Sequence, residues 1–155
     1  MMKKFPALVA VLSILMAQHA TAETIVESDR EFVWKEVPGT LAASKPVNNS
    51  AEELPWYVNA KNLIRQEGNV IFETVSPEAE YIRFRANCKN NEILVQYIGK
   101  FESEKKVVYE PAPDFWSSWN KPNEIQQKLL NFVCTLERSE ERRVGKSVDL
   151  GGRRI

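Results

Sequence analysis

EYIRFRANC, residues 80–88, alternates cleanly between two sets of side chains. Ile82, Phe84, Ala86 and Cys88 fall on one side; Tyr81, Arg83, Arg85 and Asn87 fall on the other. Because side chains on a strand point to opposite faces in turn, this pattern predicts a strand with an inner apolar face and an outer polar one. Similar runs flank it at hairpin-length spacing. NVIFETVS (69–76) stops at Pro77, the turn KNNE (89–92) leads into ILVQYIGKF (93–101), and KKVVYE (105–110) stops at Pro111. Upstream, LPWYVN (54–59) precedes KNLIRQEGN, with a turn expected at Gly68-Asn69, and EFVWKEV (31–37) stops at Pro38-Gly39. Short strands separated by such gaps predict an antiparallel β-sheet meander.

The period changes after PAPDFWSSWN. From Pro122, apolar residues at Ile125, Leu129, Leu130, Phe132, Val133 and Leu136 recur at helical spacing. Pro122 suits a first helical turn, and Glu124 suits the positive end of the helix dipole. Cys134 lies beside the apolar stripe, and Cys88 belongs to the inner set of its strand. The two periodicities therefore bring the two cysteines together, and a Cys88–Cys134 disulfide is expected to tie the helix to one sheet face. The expected fold class is α+β, an antiparallel sheet with a C-terminal helix packed on one face.

The compartment supports that disulfide. Residues 1–22, MMKKFPALVAVLSILMAQHATA, combine Lys3 and Lys4, an apolar run and a small-residue end, as a secretory signal peptide does, with cleavage expected after Ala22. The run is too short to cross roughly 30 Å of hydrocarbon, so stable membrane insertion is not expected. A pair of cysteines in an exported chain is a disulfide by default, and no CxxC spacing marks a reactive pair. The expected localisation is periplasmic or secreted. Cleavage also removes His19, the only histidine, which excludes Ser-His-Asp and Cys-His catalysis and imidazole-held zinc. The division expected along the chain is a signal peptide over 1–22, an N-terminal strand and flexible linker over 23–53, a sheet-plus-helix domain over 54–137, and a disordered tail over 138–155.

That tail, RSEERRVGKSVDLGGRRI, carries six basic residues and resembles a nucleic-acid arm. One back-translation of it, however, matches the reverse complement of a widely used short-read sequencing adapter with a single base missing. It is read as translated adapter, and no nucleic-acid partner is assigned. Residues 23–137 hold 13 Lys plus Arg against 18 Asp plus Glu, a net charge of −5.

Within this acidic domain, Arg83 and Arg85, followed by Lys89, form a cationic row that could face an anion or a partner, although a solvated strand face is the commoner outcome. Trp116 and Trp119, with Phe115, could form a ligand platform or seal the edge of the core; Trp34, Trp56 and Tyr57 offer the same choice. Glu73, Glu78, Glu80, Glu92, Glu102, Glu104, Glu110 and Asp114 show no spacing that singles out a catalytic pair, so they are expected on a charged surface. There is no GxSxG, no phosphate-cradling loop and no EF-hand pattern. No catalytic residue, metal or cofactor is assigned, and an enzyme is not expected.

WYVNAKNLIRQEGNVIFETV, then FRANCKNNEILVQYIG, then FWSSWNKPNEIQQKLLNFVC resembles, in order, the surface-adhesin protein E family. Residues 56–62 occupy its aromatic-Val-Asp-x-x-Ser-Ile strand, with Asn59 where that pattern has Asp. Cys88-Lys89, Trp116 or Trp119, and Val133-Cys134 occupy its remaining places. The resemblance implies an antiparallel sheet with a C-terminal helix tied to it by the disulfide, and a bacterial envelope protein from a family whose named member binds host extracellular-matrix proteins; a protein partner, host matrix or envelope, is expected. Here no cysteine follows the leader to carry a lipid. A periplasmic accessory or inhibitor protein is the alternative, and a homodimer is among the arrangements left open.

Overall fold

The computed structural model describes residues 22–41 and 53–136. Eight strands form one antiparallel sheet: β1 (Ile25–Glu27), β2 (Trp34–Glu36), β3 (Tyr57–Asn59), β4 (Ile64–Gln66), β5 (Asn69–Val75), β6 (Glu80–Asn87), β7 (Glu92–Ser103) and β8 (Lys106–Pro111). One helix, α1, follows over residues 124–136. The strand order is β1-β8-β7-β6-β5-β3-β2, with β4 also pairing β5. The meander expected from the sequence holds from β5 to β8, and the N-terminal strands leave it for opposite edges. Two expectations shift. The β4–β5 turn is Glu67-Gly68, both at positive φ (51° and 79°), and Asn69 already pairs with Gln66. Such a two-residue turn matches the twist of the strands it joins. At α1, Pro122 lies outside the first turn, because Asn123 caps the helix. Its Oδ1 accepts from the backbone of Gln126 at 2.8 Å, while Gln126 Oε1 accepts from the backbone of Asn123 at 3.0 Å, a reciprocal capping box.

The helix face holds the apolar core. Val70, Phe72 and Thr74 on β5 pair with Ala86, Phe84 and Ile82 on β6, as strict alternation requires. Phe72 and Phe84 stack with ring centroids 5.5 Å apart. Val58, Ile93, Leu129, Leu130 and Val133 close over them. Cys88 and Cys134 form the expected disulfide, with Cα atoms 6.0 Å apart. Among the described residues the fold is therefore mostly antiparallel sheet, with this single helix stapled to it.

The opposite face is not the solvated surface that the alternation suggests. A flat sheet would hold β1 and β2 about 29 Å apart, whereas the connection over residues 28–33 reaches at most about 24 Å. The sheet must curl toward this connection, which crosses its face as a strap. Trp34 of β2 consequently meets Phe101 of β7, centroids 5.8 Å apart, and Phe32 on the strap stacks on Trp34. Tyr81, Val107 and Tyr109 form a second core beneath it. Gly99, between Tyr81 and Tyr109 in register, leaves room for their rings to meet at 5.2 Å; a Cβ there would lie 2.2 Å from the Val108 carbonyl oxygen. Strands β1 and β2 thus belong to the same sheet as everything from residue 54 onward. The linker residues 42–52, the leader through residue 21 and the tail over 138–155 lie outside the described residues.

Candidate binding surfaces

Beneath the strap, a polar group sits where the sequence predicts surface. Glu73 on β5 is 1% exposed, and its carboxylate is fully engaged. Arg30 Nη2 donates to both of its oxygens at 2.9 and 2.8 Å, Tyr81 Oη donates at 2.7 Å, and Asn59 Nδ2 donates at 2.8 Å. A buried carboxylate persists only with such partners, because losing its hydration costs on the order of several kcal/mol. Arg30 also pairs with Glu27 on β1, which accepts a 2.7 Å hydrogen bond from Tyr109. Burial pulls the Arg30 guanidinium down, but its bonds to Glu73 and Glu27 outweigh this and hold it above its ordinary value. Burial, then the Glu73 charge and hydrogen bond, push the Tyr81 hydroxyl well up. Burial and the bond to Glu27 push Tyr109 up to about 12. Burial raises Glu27, but the bonds from Tyr109 and Arg30 prevail and lower it. Two carboxylates do converge here, yet they converge on one arginine, which pairs with both.

Arg83 stands directly opposite Glu73 in register and makes no bond to it. Its guanidinium lies 5.7 Å from the Tyr97 ring, and that of Arg85 lies 5.9 Å from the Trp119 ring. Both arginines are half-buried, and their Nε atoms, with Asn69 Oδ1 and Gln96 Oε1, are buried without a hydrogen-bond partner. Register places all four side chains on the strap face or at the β7 bulge that follows Val95. The cationic row is real as a row, but it is walled by aromatic rings rather than solvated.

After β8 the chain turns along the free part of β7. Ala112 donates to Gln96, Val95 donates to Trp116, and Ile93 and Asn120 bond each other. This holds an aromatic loop at the rim of the sheet with Phe115 69% and Trp116 46% exposed. The loop serves both faces. Trp119 meets Arg85 on the strap face, while Trp116 lines two adjoining recesses of about 490 and 400 Å³ on the helix face. The two recesses also share Ile82 and Ile98, so they form one groove from the end of α1 to β8. Val26, 55% exposed on the edge strand β1, pairs with Val108 on this side. Thus the four residues singled out by sequence divide into two surfaces, Arg83, Arg85 and Trp119 on one and Trp116 on the other. Trp56 packs into the helix-side core.

Glu73 and Arg30 are what sequence reasoning missed. The available signal was a lone Glu at an alternating position in NVIFETV, a strand otherwise free of charge. Among the described residues, no group of three or more His, Cys, Asp or Glu is placed to hold a metal, and no helix is long and apolar enough to cross a membrane. No protein-family model, curated protein or solved structure matches this chain.

Proposed function

We propose that the chain is a non-enzymatic exported binding domain of α+β class, of the surface-adhesin protein E type, and that it takes up an extended segment of another protein along the groove beneath Trp116. One observation carries this reading: two adjoining recesses meet at Ile82, Ile98 and Trp116, and the one that reaches Val108, rimmed by Glu80, Lys100 and Glu110, lies beside β1, an edge strand among the described residues. Monomeric domains seldom leave such a patch uncovered, and tryptophans dominate binding energy where they are left exposed. The edge favours an extended occupant, since a strand added beside β1 would set alternate side chains against Val26 and the groove.

Photocrosslinking residues placed at positions 26 and 115 test this in cells that export the chain, with position 131, on the exposed side of α1, as the control. Adducts to one common protein from 26 and 115, absent from 131 and lost in Trp116→Ala, are expected. Equal labelling from 131, or adducts only to a second copy of the chain, would overturn the reading. Fractionation with the same reagents separates adhesion from a periplasmic accessory or inhibitor role, because adhesion requires the chain at the cell surface or in the medium.

A further inference from the structure

The strap face carries a second site that the groove does not explain. In an antiparallel pair, opposite charges directly across from each other normally bond. Glu73 and Arg83 are such a pair in register, but Arg30, Tyr81 and Asn59 occupy the Glu73 oxygens. Arg83 is therefore left over, and Arg85, two residues along the same face, has no acidic partner among the described residues either. The rings of Tyr97 and Trp119 flank the two guanidinium groups, and with both Nε atoms buried it is the terminal Nη groups that remain for an acceptor. Along a strand, two such groups lie about 6.6 Å apart, the repeat of alternate side chains on another extended chain.

The surroundings decide what kind of acceptor. Arg83 opens into a recess of about 670 Å³ that is also lined by Glu27, Asp29, Glu31, Arg30 and Lys61. Glu27 pairs with Arg30 and Glu31 with Lys61, whereas Asp29, exposed on the strap, forms no ion pair among the described residues. A dense polyanion would meet these acidic groups and the net −5 of the domain. A simple oxyanion would answer the two arginines but leave Asp29, on the wall of the same recess, without a cation. A peptide brings carboxylates, backbone donors and a cation together.

We propose that this face binds a mixed-charge peptide segment of a protein partner, with alternate carboxylates on Arg83 and Arg85 and a basic side chain against Asp29. It lies on the opposite face from the groove, and either surface stands without the other. The test is titration calorimetry of the exported full chain with the peptide acetyl-Gly-Glu-Gly-Glu-Lys-Gly-amide. Inorganic sulfate and a sulfated oligosaccharide serve as competing probes. Arg83→Gln and Arg85→Gln are each expected to weaken the peptide roughly tenfold, and Arg85→Lys to restore it only in part, because an ammonium lacks the planar fork. Asp29→Asn should weaken this peptide but not its Lys→Gln form, and Trp116→Ala should leave both unchanged. Near-UV circular dichroism establishes that each variant keeps its fold. Unaltered affinity in the two Gln variants, or tighter binding of the sulfated oligosaccharide than of the peptide, would overturn the proposal.

Discussion

The two faces of one sheet are stabilised by different physics. On the helix face, Phe72, Phe84, Leu129 and Val133 are shielded by a helix that a disulfide holds in place. Non-directional burial does the work there, and the staple restricts the alternatives open to the unfolded chain. On the strap face, Phe32 packs over a smaller core of Tyr81, Val107 and Tyr109, and the strap is fastened as well by a directional network centred on Glu73. An apolar face tolerates small errors of geometry, whereas a buried charge does not. The strap face should therefore fail through single polar groups, and the helix face through loss of constraint.

The largest effect is expected at the staple. The Cys88–Cys134 bridge spans 46 residues, and opening a loop of that length costs about 4 kcal/mol in the chain-entropy model. Urea denaturation of the Cys88→Ser, Cys134→Ser double variant should show that loss while the strap-face tyrosines keep their near-UV signal below the transition. A change under about 1 kcal/mol would mean that helix packing alone holds this face.

Next in size is Glu73→Gln, expected to cost about 3 kcal/mol because it leaves Arg30 with Glu27 alone and turns an amide N–H toward the donors of Arg30, Tyr81 and Asn59. The comparison sharpens with a double variant. If the network serves specificity more than stability, replacing Arg30 and Glu73 together by Met and Leu should recover over half of the loss. Chemical denaturation of all three chains measures both numbers. A double variant no better than Glu73→Gln would show that the strap depends on the ion pair itself.

The same contrast explains what could be read from sequence. The helix face was legible because its two periods, alternation in EYIRFRANC and helical spacing after Pro122, are local signals of burial, and each places one cysteine inward. Alternation also separates Tyr81, Arg83 and Arg85 from that face correctly, but it cannot say what lies above them. Their cover comes from residues 28–33, about fifty positions away, and depends on β1 and β2 joining opposite edges. Edge choice is a long-range property with no local pattern, so Tyr81 and Glu73 were assigned to water. For the same reason Ile25–Glu27, at three residues, went unrecognised as a strand. Of the candidate sites, the residue types were visible, whereas their division between two faces by the loop over 112–120 was not.

The smallest expected effect separates the rim of the strap network from its centre. Tyr109 is buried, but it donates to Glu27 at the edge, which is only partly shielded, so Tyr109→Phe should cost about 1 kcal/mol at neutral pH. Its pH dependence follows from the two shifts. Glu27 is lowered in the fold, so its share of stability is present above the ordinary carboxylate value of about 4.3 and is lost as pH falls through the lower folded value. Tyr109 is raised to about 12. Its share is therefore present below the ordinary phenol value of about 10 and is lost as pH climbs toward the folded one. The gap between wild type and Tyr109→Phe should then be widest on the plateau between these limits and close at both ends. Denaturant midpoints across the range measure it, with phenolate absorbance marking the alkaline limb. A gap that stays constant into acid would detach Tyr109 from Glu27 and place the rim outside the network that Glu73 holds together.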